Sequence, residues 1–162
     1  KSLLSLNKVN LRAVELFAKP AKIGLNVPIH QDNYFWCVKN NKALTIWVAL
    51  DNVSKANGGV FFFNGSHKEG IWDHIPSYHK GTSQKLKDLT YLKKNFKTQT
   101  TTLKPGDCLV HHCLTIHGSN RNLSKAKRRG FTFQFKDYYG KYDLKRKKNY
   151  EKSLNLQIKS RV

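Results

Sequence analysis

The sequence predicts a mainly β domain, built as a sandwich or a barrel, and three observations carry that expectation. Short runs rich in β-branched and aromatic residues recur, such as "KALTIWVALDNV" at 42–53 and "RRGFTFQFKDYY" at 128–139. Turn signals separate them, including "NGG" at 57–59 and "KPGD" at 104–107. Helical periodicity does not alternate with these runs, so parallel βαβ units are not expected. The 162 residues are one domain's worth of chain, enough to bury a core.

Taken in order, "VNLRAVELFAKP" reads as a strand that stops at Pro20. In "VPIHQDNYFW" at 27–36 the run through Asp32 reads as extended, because Pro28 biases Val27 that way. "KALTIWVALDNV" is a compact strand closed by Asp51 and Asn52. "NGG" then reads as a hairpin turn into the strand of "VFFFNGSHK". Residues 71–95 are polar and irregular, with one short helix around 83–94. Their length suits a lid or substrate loop. "KTQTTTL" alternates toward "KPGD", "CLVHHCLTIHGS" at 108–119 reads as one strand, and "RRGFTFQFKDYY" is the last.

Charge and cysteine usage narrow the setting. The net charge is +20, which raises nucleic acid as a partner. Lysines are scattered along the chain, however, and only Lys145, Arg146, Lys147 and Lys148 form a cluster. A solvated basic surface with a basic C-terminal tail is the expectation, not a nucleic-acid site. Cys37, Cys108 and Cys113 are odd in number and form no C-x-x-C, which points to reduced thiols and a cytoplasmic setting. No apolar run has the length of a membrane span. The chain has no Met, so a processed start or a piece of a longer protein is expected, and a piece is favoured.

Two stretches carry the chemistry. On an extended strand His30 and Asp32 project to one face, offering an imidazole nitrogen and a carboxylate oxygen. Tyr34 falls on the same face by the same parity and is a candidate for the substrate pocket. A third ligand must come from elsewhere, and residues 108–119 offer His111, His112 and His117. Strand parity puts His111 and His117 on one face and turns His112 away. His117 lies at the strand end beside Gly118, where a backbone can open into a site. His30, Asp32 and His117 match the two-histidine, one-carboxylate set that suits Fe(II) with open positions. Alone, H-x-D is a weak motif, since a His beside an Asp is more often a hydrogen-bonded pair. Arg128 opens the last strand, where a guanidinium fork is badly placed for solvation and well suited to a carboxylate. 2-Oxoglutarate, chelating iron at one end, would present such a carboxylate at the other.

With these pieces in order, the sequence resembles the phytanoyl-CoA dioxygenase family of Fe(II)/2-oxoglutarate oxygenases, closest to bacterial members related to ectoine hydroxylase. The matching segments run from about Phe17 to Phe135: "HQDNYFW", "ALTIWVALDNVSKANGGVFFFNGSHK", "LKPGDCLVHHCLTIHGSNRN" and "RRGFTFQF". The resemblance implies a cupin-like double-stranded β-helix, a jelly roll of two packed sheets, over residues 1–140. Part of the family's usual N-terminal region would be absent, and 141–162 would be the basic tail. It implies His30, Asp32 and His117 as iron ligands and Arg128 as the partner of the 2-oxoglutarate 5-carboxylate. Ser119 and Trp47 match positions lining the cosubstrate pocket, Gln134 joins Tyr34 as a substrate-lining candidate, and His67 falls outside the ligand set. The implied cosubstrates are 2-oxoglutarate and dioxygen. The implied reaction is hydroxylation of a small organic substrate, with 2-oxoglutarate decarboxylated to succinate. Related halogenating enzymes lack the carboxylate ligand, so Asp32 favours hydroxylation. Two other readings compete: a catalytically inactive basic jelly roll binding nucleic acid or another polyanion, and a zinc-dependent cupin-like hydrolase.

Overall fold

The computed structural model describes residues 2–80 and 82–160. Ten strands are present among them: β1 (Val9–Lys19), β2 (Val27–His30), β3 (Ala43–Ala49), β4 (Val60–Phe63), β5 (His74–His79), β6 (Thr82–Leu86), β7 (Thr98–Thr100), β8 (Cys108–His112), β9 (His117–Ser119) and β10 (Arg128–Asp137). Helices are α1 (Asp32–Trp36), α2 (Thr90–Asn95) and α3 (Leu144–Lys159). One sheet runs β1-β10-β3-β8, the other β2-β9-β4-β7, and all pairings are antiparallel. From β2 to β4, and again from β7 to β10, the chain passes back and forth between the sheets. That path is the double-stranded β-helix the sequence led us to expect.

β3 is buried along almost its whole length, which explains its unbroken apolar run. Trp47, Ala49 and Val53 pack with Leu103 and Leu109 at one end of the sandwich. Trp36, Val38, Ala43, Cys113 and Leu114 fill the other end. β10 has the opposite design. Its buried positions are Arg128, Gly130, Thr132, Gln134 and Lys136, while Phe131, Phe133 and Phe135 face outward. A strand that turns polar groups inward lines a site, not a dry core.

Several local expectations change. The "NGG" segment is not a hairpin turn, because β3 and β4 lie in different sheets. Residues 108–119 are not one strand. β8 ends at His112, a turn closes through the Thr115 amide on the His112 carbonyl at 2.8 Å, and β9 starts in the other sheet. Residues 71–95 are neither irregular nor helical from 83: β5 and β6 form a hairpin, and only Thr90–Asn95 is helical.

The hairpin is fastened by the C-terminal segment, which carries the basic cluster. Asp143 caps α3 by accepting from the Arg146 amide at 3.0 Å. Gln157, 1% exposed, then accepts from the amides of Ser77 and Tyr78, both at 3.1 Å. Ser153 donates to the buried Gln84 at 2.8 Å. These are polar, long-range ties, invisible to a hydropathy pattern. No helix among the described residues is long and apolar enough to cross a membrane.

Candidate metal centre

His30 ends β2 and His117 begins β9, and the two are paired directly across those strands. Each ring is fixed in the same way. His30 Nδ1 lies 2.8 Å from the Pro28 carbonyl and His117 Nδ1 lies 2.9 Å from that of Thr115. A carbonyl only accepts, so Nδ1 carries the hydrogen in both and Nε2 keeps its lone pair. Asp32 arrives by another route than strand parity. Gln31 is the last extended residue, and Asp32 is the first residue of α1. The turn swings its carboxylate back, placing Oδ1 3.7 Å from both His30 Nε2 and His117 Nε2. One donor atom from each of the three lies within 4.8 Å of the others, a group that can hold a metal ion.

The residue between the ligands is anchored on every polar atom. Gln31 donates its side-chain amide to Gly70 O at 2.8 Å and Leu114 O at 2.7 Å, and its Oε1 accepts from the Trp72 amide at 2.8 Å. Its backbone amide donates to His74 Nε2 at 3.1 Å. Phe35 meets His30 edge-on at 5.5 Å between ring centres, and Phe62 stacks on His117 at 5.8 Å. The ligands therefore sit on a pre-set frame.

Burial sets the charges. It is the main reason the His117 imidazolium is disfavoured, with a pKa pushed down to about 3, and the neighbouring His30 adds to this. For Asp32 burial acts upward. The surrounding histidines, His117 first and then His111 and His30, outweigh it and hold the carboxyl well below its usual range. An ionised carboxylate beside a neutral imidazole is the protonation state a divalent cation requires.

The three residues open onto a cavity of about 810 Å³. Trp47, Ser119, Arg128 and Gln134 line it, together with Lys19, Phe35, Trp36, Thr132 and Tyr150. Arg128 is 2% exposed. Its Nη2 donates to the Gly58 carbonyl at 2.8 Å, and its Nε has no partner among the described residues. Burial lowers its pKa to about 10, so it remains a cation. Gly58 adopts φ +79°, and a Cβ there would lie 2.6 Å from the Asn120 carbonyl, so the "NGG" turn requires glycine to bring that acceptor to Arg128. Arg129 faces away and pairs with Asp51 through Nε and Nη2, both at 2.9 Å. The indole of Trp47 lies against Gly130, where a Cβ would fall 2.1 Å from Cζ2. The Arg128 guanidinium carbon sits 5.4 Å from that ring's centre.

Beside Arg128 stands a second cation the sequence reading passed over. Lys19 is its register partner on β1 and donates to Leu25 O and Asn120 O, both at 2.6 Å. Burial first, then Arg128, lowers its pKa to about 7. "FAKP" gave only the signal of a charge at the end of an apolar strand.

Tyr34 is a correction. Strand parity ends at Gln31, and in the helix that follows Tyr34 turns out of the cavity to stack on His74 at 4.1 Å. Phe35 and Trp36 of α1, and Tyr150 of α3, line the cavity instead. His112 and His67 lie outside the centre, with ring centres 5.9 Å apart. His111 is in the centre, 3.1 Å from Asp32 Oδ2. The parity argument that grouped it with His117 fails, because they belong to different sheets.

Comparison with known proteins bears on the family and the fold. A sequence profile of the family Phytanoyl-CoA dioxygenase (PhyH) matches residues 2–130. Phytanoyl-CoA dioxygenase domain-containing protein 1 of Danio rerio is 31% identical over 137 residues, covering 82% of this chain and 46% of that protein. The peroxisomal phytanoyl-CoA dioxygenase of Bos taurus is 30% identical over 112 residues, covering 68% and 33%. The chain thus spans a third to a half of the length of these relatives. EctD from S. alaskensis, solved with 2-oxoglutarate and 5-hydroxyectoine, superposes with a TM-score of 0.70 at 23% identity over 87% of this chain and 48% of its own. The non-heme alpha ketoglutarate dependent carbocyclase SnoK superposes with a TM-score of 0.69 at 22% identity over 83% and 52%. The solved structures share the fold, and the matched sequence profile extends from before β1 to the start of β10: this chain belongs to the phytanoyl-CoA dioxygenase family.

Proposed function

We propose that the chain carries the active centre of an Fe(II)- and 2-oxoglutarate-dependent dioxygenase that hydroxylates a small organic substrate. The observation that carries this reading is the placement of a two-histidine, one-carboxylate donor set and a buried, incompletely paired Arg128 on the walls of one cavity. His30, Asp32 and His117 would hold the iron, since their mixed nitrogen and oxygen donors and the lack of a thiolate among them suit Fe(II) better than a closed zinc site. Arg128 would hold the far carboxylate of 2-oxoglutarate, with Trp47 and Ser119 beside it. When bound, the iron and cosubstrate supply dioxygen activation coupled to loss of carbon dioxide and formation of succinate.

The protein's own part is binding, orientation and exclusion of water. Arg128 is already desolvated, so a carboxylate that reaches it meets an undiluted charge. Phe35, Trp36 and Leu109 give apolar walls, and Gln134 and Thr132 supply polar contacts on the β10 wall. Gln134 is oriented by Glu15, to which it donates at 2.6 Å. The experiment is direct: Fe(II) and 2-oxoglutarate are supplied under air and succinate is measured. Wild-type protein forms succinate, and His117→Ala and Asp32→Ala do not. Succinate formation that survives Asp32→Ala would refute the assignment.

A further inference from the structure

Asp32 has two oxygens, and the fold treats them differently. Oδ1 faces the two histidine Nε2 atoms. Oδ2 accepts from Thr45 Oγ at 2.8 Å and is 3.1 Å from His111 Nε2. We propose that His111 is a positioning residue, which together with Thr45 locks Oδ2 of Asp32 so that the carboxylate offers a metal only Oδ1. The inference rests on the reading of His30, Asp32 and His117 as metal ligands.

The two donors are built in as a pair. Thr45 on β3 and His111 on β8 are direct register partners, so adjacent strands of one sheet set their spacing. The His111 ring is 8% exposed and wedged between rings, 5.2 Å from the centre of Phe62 and 4.6 Å from that of His117. It cannot swing away without opening the sandwich. An ionised carboxylate only accepts, so His111 Nε2 carries a hydrogen and cannot coordinate through that atom. Its Nδ1 has no partner among the described residues. The donor atoms that lie close enough to share one ion are those of His30, Asp32 and His117, so His111 belongs around the ligand set and not in it.

The lock has a chemical consequence. A carboxylate with a free second oxygen can rotate and chelate a metal through both. That would occupy a position a bidentate cosubstrate needs. Two hydrogen bonds on Oδ2 oppose the rotation and keep Asp32 to one coordinating atom.

Co(II) alone is the probe, without cosubstrate, read by calorimetry and by its visible absorption. His111→Phe with Thr45→Val should weaken Co(II) binding by about ten- to hundredfold. The visible bands should also change intensity, because a two-oxygen Asp32 alters the coordination number. His111→Gln keeps an amide donor at similar reach and should stay within a few fold of wild type. Thr45→Val alone is close in shape and safe for folding, and should show a smaller loss of the same kind. Unchanged affinity and spectrum in the double variant would overturn the lock, as would a His111→Gln loss equal to that of His111→Phe. If the His111 variants fail to fold, an unchanged Thr45→Val overturns it. Wild-type protein that binds no Co(II) would remove the metal reading itself, a different failure from wild-type binding that the variants leave intact.

Discussion

The backbone amide of Gln31 donates to Nε2 of His74 at 3.1 Å, tying the segment between two candidate ligands to the β5–β6 hairpin. His74 Nδ1 lies 2.9 Å from the Trp72 carbonyl. Both ring nitrogens are thus used in the neutral form, and protonation would set a hydrogen against the Gln31 amide. Burial dominates the result, a pKa pushed down to about 3.

A pH dependence follows. Between about pH 6.5 and 3 the unfolded chain holds a proton on His74 that the folded protein refuses, so stability rises with pH across that window. It is fully present above 6.5 and lost as pH falls toward 3. His117 acts in the same direction. Each such histidine contributes a slope of up to about 1.4 kcal/mol per pH unit. Urea midpoints of metal-free protein at pH 5 and 6.5 should show this loss, and His74→Gln should remove about half of the slope due to the pair.

The contact of Trp47 with Gly130 is steric. Gly130→Ala should displace the indole, costing about 1–3 kcal/mol of stability. Because Arg128 neighbours that ring, 2-oxoglutarate affinity should fall as well. Thermal unfolding and tryptophan emission check the first effect. Trp47→Phe in the Gly130→Ala background should recover part of the lost stability.

Gln157 is the single acceptor for two hairpin amides. Replacing it with Ala leaves both unpaired, at about 1–3 kcal/mol for each group that stays buried. Chemical denaturation of Gln157→Ala should show a loss in that range. A loss below about 0.5 kcal/mol would mean that water replaces the contact.

The histidines separate cleanly. Fe(II) binding should vanish in His30→Ala and His117→Ala, and His112→Ala should keep it, because the His112 ring packs toward His67 on the outer side. Anaerobic Fe(II) calorimetry distinguishes these outcomes.

The sequence expressed the sheets well and the turns of the site poorly. β3 and β10 were legible because β-branched and aromatic runs are local signals. The β5–β6 hairpin was not, since Ser77 and Gln84 are held by Gln157 and Ser153 from 80 and 69 residues away. Of the eight candidate site residues, seven meet at one cavity, and Tyr34 does not. It was placed by strand parity, and parity fails where α1 begins. The joint hold of His111 and Thr45 on Asp32 was hidden for a related reason. Their contact with Asp32 depends on the register of β3 with β8, which no single segment encodes.

The central claim is that Arg128 receives the far carboxylate of 2-oxoglutarate bound at the metal centre. Titrating 2-oxoglutarate into the anaerobic Fe(II) protein, followed by its charge-transfer absorption, tests this most directly. Removing one partner of a desolvated ion pair costs about 2–5 kcal/mol. Arg128→Ala should therefore weaken binding by about one and a half to four decades. Arg128→Lys should recover only part, since an ammonium lacks the planar fork. Arg129→Ala should leave 2-oxoglutarate binding unchanged, because Arg129 spends its fork on Asp51 outside the cavity. Equal losses for Arg128→Ala and Arg129→Ala, or no loss for Arg128→Ala, would contradict the account.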